Sequence, residues 1–322
     1  MRIINSRRLV TVLAFLLIAS VLLLVFRKSN VNNIHDPAQS PSSPLSQPPS
    51  LATIPKAIHQ TYKTATLADW AKEEGKNNRT LWFLSWQQKN PSYSHTVLND
   101  KAADEFIAAN FDKETQTAWA KMPLPVLKAD LLRYAMLYIH GGIYSDSDTE
   151  CLQPIDSWYG PYESASFIAS VEWYKDSHNF DVPMYKKTQL VQWTFGASPR
   201  HPALLATIND IVQKVSFASI AYLSSKKNVE AIGGPQVLTR HVLEYMKSHG
   251  DDLDSLQKAD DDKGRMYFKK SRVLLLPMFS FMAQLAPERL DPVIAAKKKS
   301  QESTLFVNHH FAGTYLDNGW KN

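Results

Sequence analysis

Asp146 and Asp148, in the run Gly141-Gly142-Ile143-Tyr144-Ser145-Asp146-Ser147-Asp148, are spaced so that two carboxylates can share one hard divalent cation. Such a cation can in turn bridge the phosphates of a nucleotide. Just upstream, Leu127-Lys128-Ala129-Asp130-Leu131-Leu132-Arg133-Tyr134 sets Asp130 and Arg133 three apart, on one face of a helix. All four charges fall in an otherwise apolar segment, where a charged side chain seldom sits without a specific partner. Plainer readings exist: a solvated acidic turn for Asp146 and Asp148, a structural ion pair for Asp130 and Arg133. An EF-hand loop is disfavoured, because no central glycine or position-twelve glutamate follows in register.

The elements around these residues place them at a sheet edge. From Val126 to Ile139 nearly every turn is apolar, which predicts a helix buried on most of its circumference and stopped by the glycine pair. Ile143-Tyr144-Ser145 reads as a short buried strand, leaving Asp146 and Asp148 at its carboxyl end, where open α/β sheets bind ligands. Further strands are predicted at 54–60, 93–98, 167–171, 190–195 and 273–276, and helices at 70–88, 102–109, 203–215 and 235–247. Strands and helices alternate, so the class is α/β.

Other chemistry-bearing residues lie far along the chain. His309-His310 offers an imidazole, a ligand that suits manganese beside carboxylates, and His310 with Gly313 beyond it is the candidate. Gly233-Gly234-Pro235 reads as a turn and helix cap or as a loop approaching phosphate. Glu172, after a predicted strand, is a contact to a bound substrate or a surface salt bridge. Trp82, Trp86, Trp158, Trp173 and Trp193 read first as packing residues, with a few able to stack on sugar or base.

With 322 residues, 44% of them hydrophobic, the chain can bury a sizeable core and is not a disordered protein. The formal charge of +5 is scattered among acidic neighbours, so nucleic-acid binding is not indicated. Cys151 is the only cysteine, which excludes an intrachain disulfide. Residues 9–26 form a run of 18 without a charge, bracketed by Arg7-Arg8 and Arg27-Lys28, long enough to span a bilayer. A cleaved secretory signal fits less well, since its apolar region is shorter and ends in a small-residue site. The arginines before the run predict a cytosolic tail at 1–8, an anchor at 9–26, a Pro- and Ser-rich stem at 27–53 and a lumenal body at 54–322, a type II arrangement. Asn78-Arg79-Thr80 is the one glycosylation sequon.

Taken together, Ile54-Pro55-Lys56-x-Ile58-His59-Gln60, the Asp130-x-x-Arg133 and Asp146-x-Asp148 segments, Leu152-x-Pro154-Ile155, Gln192-Trp193-Thr194, Gly233-Gly234-Pro235 and His309-His310-Phe311-x-Gly313 resemble glycosyltransferase family 32. The likeness runs from about Ile54 to Trp320 and is strongest to the family's fungal α-1,6-mannosyltransferases. It implies a GT-A type nucleotide-sugar-binding fold and retaining transfer of mannose from GDP-mannose to an N-glycan or mannan acceptor, in the Golgi membrane. It implies Mn2+ as cofactor, with Asp148 as direct ligand, Asp146 on the metal or ribose, and His310 completing the site. Asp130 and Arg133 would hold the donor's sugar and diphosphate, with His59, Gln60 and Gly234 near the nucleotide. A complex with other Golgi mannosyltransferases is a further implication. The rival acceptor is inositol phosphoceramide, although enzymes of that kind carry hydrophobic spans after the catalytic domain and none follows Phe26 here. The rival from another class is a membrane-tethered sugar-binding paralogue without turnover.

Overall fold

The structure is a computed structural model that describes residues 52–64, 66, 78–174, 188–256, 258–282, 299 and 302–312. The expected tail, anchor and most of the stem lie outside the described residues, as do Gly313 and most of the expected helix before Asn78.

The folded body is built on a seven-stranded mixed sheet. Its strands are β1 (Ala57–Thr61), β2 (Ser94–Leu98), β3 (Gly142–Ser145), β5 (Phe167–Tyr174), β6 (Thr188–Ala197), β7 (Met266–Phe268) and β8 (Val273–Leu276), in the spatial order β2-β1-β3-β6-β5-β8-β7. β1 runs parallel to both β2 and β3, whereas β6 is antiparallel to β3 and β5. The carboxyl ends of β1, β3 and β5 therefore share one edge with the amino end of β6. Val273-Leu274-Leu275-Leu276 and the inner positions of β3 and β6 are fully buried, as expected of central strands covered on both faces. A separate two-stranded ribbon pairs β4 (Thr149–Cys151) with β9 (Val307–His309), antiparallel, with Thr149 opposite His309.

The helices are α1 (Arg79–Lys89), α2 (Asp100–Asn110), α3 (Lys113–Lys121), α4 (Pro125–His140), α5 (Pro202–Phe217) and α6 (Pro235–Ser248), with shorter helical turns between some of them. Proline opens α4, α5 and α6 at a first-turn position where its missing N–H costs nothing. In α1, Trp82 and Trp86 both point inward, and the chain leaves the helix at Asn90, one residue before Pro91. The sequence reading passes over α3, because Lys113-Glu114-Thr115-Gln116-Thr117-Ala118-Trp119-Ala120-Lys121 carries no apolar stripe. It is held instead by an Asp112 side-chain cap on the Thr115 N–H and by burial of Trp119, whose indole N–H donates to Asp104.

The passage from α4 into β3 depends on the glycine pair. Gly141 and Gly142 both have positive φ, +65° and +102°, and a Cβ on Gly142 would lie 2.5 Å from the Ala57 carbonyl oxygen of the neighbouring strand. Only glycine lets the backbone turn there and still pair with β1. Gly142→Ala is accordingly expected to lower stability by roughly 3 kcal/mol or more. Urea unfolding measures this, and a loss under about 1 kcal/mol would mean that the two strands shift apart freely.

Candidate functional site

At the shared edge, Asp146 follows β3 directly. Its backbone N–H donates to the Trp193 carbonyl at 2.8 Å, and its carbonyl accepts from Gln60 Nε2 at 3.1 Å and Thr149 Oγ1 at 2.6 Å. The next residues fold back so that Asp148 lies beside the ribbon. Its carbonyl accepts the His310 N–H at 2.9 Å, and its Oδ2 accepts the Ala312 N–H at 3.0 Å. The loop is thus tied to β1, β6 and the far carboxyl-terminal segment at once. Arg79, fully buried at the start of α1, completes the ties by donating from Nη1 to Ser147 Oγ at 3.1 Å.

Asp146, Asp148 and His309 bring one ligand atom each to within 4.8 Å of one another. Two carboxylates and an imidazole suit a divalent cation such as Mn2+ or Zn2+, and His309 Nε2 lies 3.3 Å from Asp148 Oδ1. The donor set fits a metal through His309, not through the expected His310. Strand alternation decides this: His309 faces Trp193, ring centroids 4.7 Å apart, while His310 turns to the other side. There its ring stacks on Trp82 at 4.0 Å and its Nε2 donates to Glu150 at 3.1 Å. The sequence shows two adjacent histidines but not which one the strand turns inward.

Asp130 and Arg133, buried on α4, pair at 3.1 Å, and Arg133 Nη2 reaches on to Asp146 Oδ1 at 3.3 Å. One guanidinium therefore joins the helix pair to the loop pair. It also lies over the Tyr144 ring at 5.3 Å, and the Tyr144 hydroxyl donates to the same Asp146 oxygen at 2.7 Å. Arg133 Nε is buried without a hydrogen-bond partner. Burial pushes Asp130 up to about 7, against the pull of Arg133. Asp146 is likewise raised by burial, whereas for Asp148 the burial cost is overcome by His309, Arg79 and the Ala312 N–H, which leave it below the usual carboxylate range.

The expected nucleotide contacts of His59 and Gln60 are not what the geometry supports. His59 is buried, with Nε2 against the Gly141 carbonyl at 2.9 Å, and burial lowers it to about 4, so it is a neutral packing residue. Gln60 is fully buried and spends its amide on the Asp146 carbonyl and its oxygen on His95. Gln60 has no exposed surface to offer a ligand and positions the loop instead. Gly234 is the cap residue before α6, and a Cβ there would meet the Glu230 carbonyl at 2.5 Å. Gly233 is the one that borders the site: its carbonyl accepts from Tyr134, and a Cβ would come within 2.9 Å of Asp130 Cβ. Tyr134 also donates to Gln192, whose amide faces Asp130 at 3.5 Å.

Glu172, near the end of β5, is buried, and Gln189 Nε2 donates to it at 2.7 Å; among the described residues it forms no salt bridge. Burial raises its carboxyl from 4.5 to about 7, with Glu230 adding to the shift. Between those values the unfolded chain has lost this proton while the folded one keeps it, so stability falls as pH rises from 4.5 to about 7 and is flat beyond. The loss amounts to about 3 kcal/mol. Glu172→Gln should remove it: the variant melts above the wild type at pH 8 and together with it near pH 4. Equal offsets at both pH values would show that the shift is absent.

A mixed sheet with an Asp-x-Asp loop at its carboxyl edge, a histidine beside it and a buried arginine bridging to the helix makes a site whose donor set could hold a divalent cation. Residues 77–165 match the family described as a glycosyltransferase sugar-binding region containing a DXD motif, and the chain thus carries a domain of that family. It is 30% identical over 285 residues to the initiation-specific α-1,6-mannosyltransferase of Schizosaccharomyces pombe, covering 84% of this chain and 65% of that protein. To the protein of the same name from Candida albicans it is 27% identical, covering 83% of this chain and 73% of the relative. A mannosyl phosphorylinositol ceramide synthase of Saccharomyces cerevisiae is 33% identical over a shorter stretch, 34% of this chain and 26% of that protein. The chain therefore spans about two thirds of the length of the first of these relatives.

Proposed function

We propose that the protein is a GDP-mannose-dependent, retaining α-mannosyltransferase of GT-A type that acts on an N-glycan or mannan acceptor, with α-1,6 linkage. The observation that carries this reading is the continuous chain Asp130–Arg133–Asp146 beside Asp148 and His309, which sets a sugar-facing carboxylate next to a diphosphate site. Two relatives matched over most of the chain are initiation-specific α-1,6-mannosyltransferases, whereas likeness to the ceramide enzyme covers only a third of it. Arg133, held rigid by two carboxylates, would stabilise negative charge building on the leaving diphosphate. A bound Mn2+ on Asp146, Asp148 and His309 would supply the Lewis acid for the same charge. Asp130, facing Gln192 across the Gly233 turn, would accept from a sugar hydroxyl. The run 9–26 would anchor the protein in the Golgi membrane with its catalytic body lumenal and in reach of partner mannosyltransferases; among the described residues no helix is long and apolar enough to cross a membrane.

The test is a donor-by-acceptor screen of the purified body with Mn2+. Transfer from GDP-mannose to mannosyl glycans supports the proposal. Transfer only to inositol phosphoceramide would replace the acceptor, and no transfer from any sugar nucleotide would favour a binding protein.

A further inference from the structure

Phe311 stands out at the rim of the site. It is half exposed, one of few large apolar side chains so placed among the described residues, and its backbone has φ of +47°. A bulky side chain rarely takes that left-handed conformation, and such strain persists where the surroundings impose it. Here they do so from both sides: the preceding His310 N–H donates to the Asp148 carbonyl and the following Ala312 N–H to the Asp148 carboxylate. Two bonds to one residue clamp the backbone and leave the Phe311 ring outward. The ring lies 4.0 Å from that of His309 and 6.0 Å from that of Trp193, so it borders the candidate metal ligands directly.

The chemistry of the ring narrows its ligand. A benzyl group offers nothing to phosphate, but an exposed aromatic face beside a sugar-transfer site suits the apolar C–H face of a pyranose. The strand order separates it from β1: Asp146 follows β3, β1 lies on one side of that strand, and β6 with Trp193 on the other, where Phe311 packs. We propose that Phe311 is an acceptor subsite, a platform on which the ring of the acceptor sugar stacks beside the donor's diphosphate. The proposal rests on the reading of the site as a mannosyltransferase.

Steady-state transfer from GDP-mannose to α-mannobiose, with donor and acceptor varied separately, tests it in wild type, Phe311→Ala, Phe311→Trp and Phe311→Gly. The alanine variant should raise the acceptor KM about tenfold, near the upper end of what one aromatic contact supplies, with the donor KM moving less than twofold. Tryptophan should restore the acceptor KM. Glycine suits the left-handed backbone, so that variant should melt no lower than the wild type while losing the acceptor as alanine does. An unchanged acceptor KM in Phe311→Ala overturns the proposal, and so does a rise in donor KM in its place, which would make the ring a nucleotide contact. Binding of α-mannobiose followed by ligand-observed NMR decides the matter without turnover. Binding by wild type that is lost in Phe311→Ala supports the subsite, and equal binding by both or none by wild type rejects it. Failure of the wild type to use any sugar nucleotide, by contrast, defeats the mannosyltransferase reading and leaves the NMR result to stand alone.

Discussion

Asp148→Ala is expected to give a folded protein that transfers sugar at least about a thousandfold more slowly than the wild type, a loss of roughly 4 kcal/mol of transition-state stabilisation. The carboxylate has two assignments in the structure, Oδ1 toward His309 and Oδ2 toward the Ala312 N–H, and only the first concerns a metal. Its removal leaves one backbone N–H without an acceptor, at a cost of about 1 to 3 kcal/mol, which a domain with this core tolerates. Asp148→Asn separates the two effects, because an amide oxygen can still accept from Ala312 yet is a poor ligand for Mn2+. Metal titration and melting temperature, followed together, give the readout. Transfer within tenfold of wild type in either variant would take Asp148 out of the metal site.

Arg133→Lys is expected to leave melting nearly unchanged and to slow transfer about a hundredfold. Lysine keeps the positive charge between Asp130 and Asp146, so neither carboxylate is left buried and uncompensated. It lacks the planar fork that reaches both at once and still has an N–H free for phosphate. Arg133→Ala differs in kind: both carboxylates lose their partner, and roughly 3 to 5 kcal/mol of stability should go with it. Chemical denaturation of the two variants beside their kinetics checks the distinction. If lysine transfers sugar as fast as arginine, the fork plays no part and a point charge suffices.

Much of this site is legible in the chain because its parts are local. The apolar stretch before the glycine pair, the short strand and the Asp-x-Asp spacing are consecutive, and the structure reproduces them as α4, β3 and the loop with boundaries moved by a residue or so. What escapes is what depends on distant pairing. Within the sequon Asn78-Arg79-Thr80, Asn78 is exposed while Arg79 is buried under Ser147, a contact no local pattern announces. Gln60 looks like a ligand contact because it lies at the right edge of the sheet, but His95 on β2 and the Asp146 carbonyl just after β3 consume its hydrogen bonds. The choice between His309 and His310 turns on which face of β9 meets Trp193, which is set only once β9 has paired with β4.

That ribbon has a consequence for how the protein comes into being. The backbone pairing and hydrogen bonds that tie the loop to the carboxyl-terminal segment join residues near 148 to residues near 310, with Asp148 and Ala312 lying 164 positions apart. Contacts of that span form late, since the chain between them must first lose its freedom. During synthesis the large sheet can assemble through β8 while the ribbon still lacks its second strand. The loop carboxylates can therefore be in place before His309 reaches them, and the group Asp146, Asp148 and His309 is complete only once β9 has paired with β4.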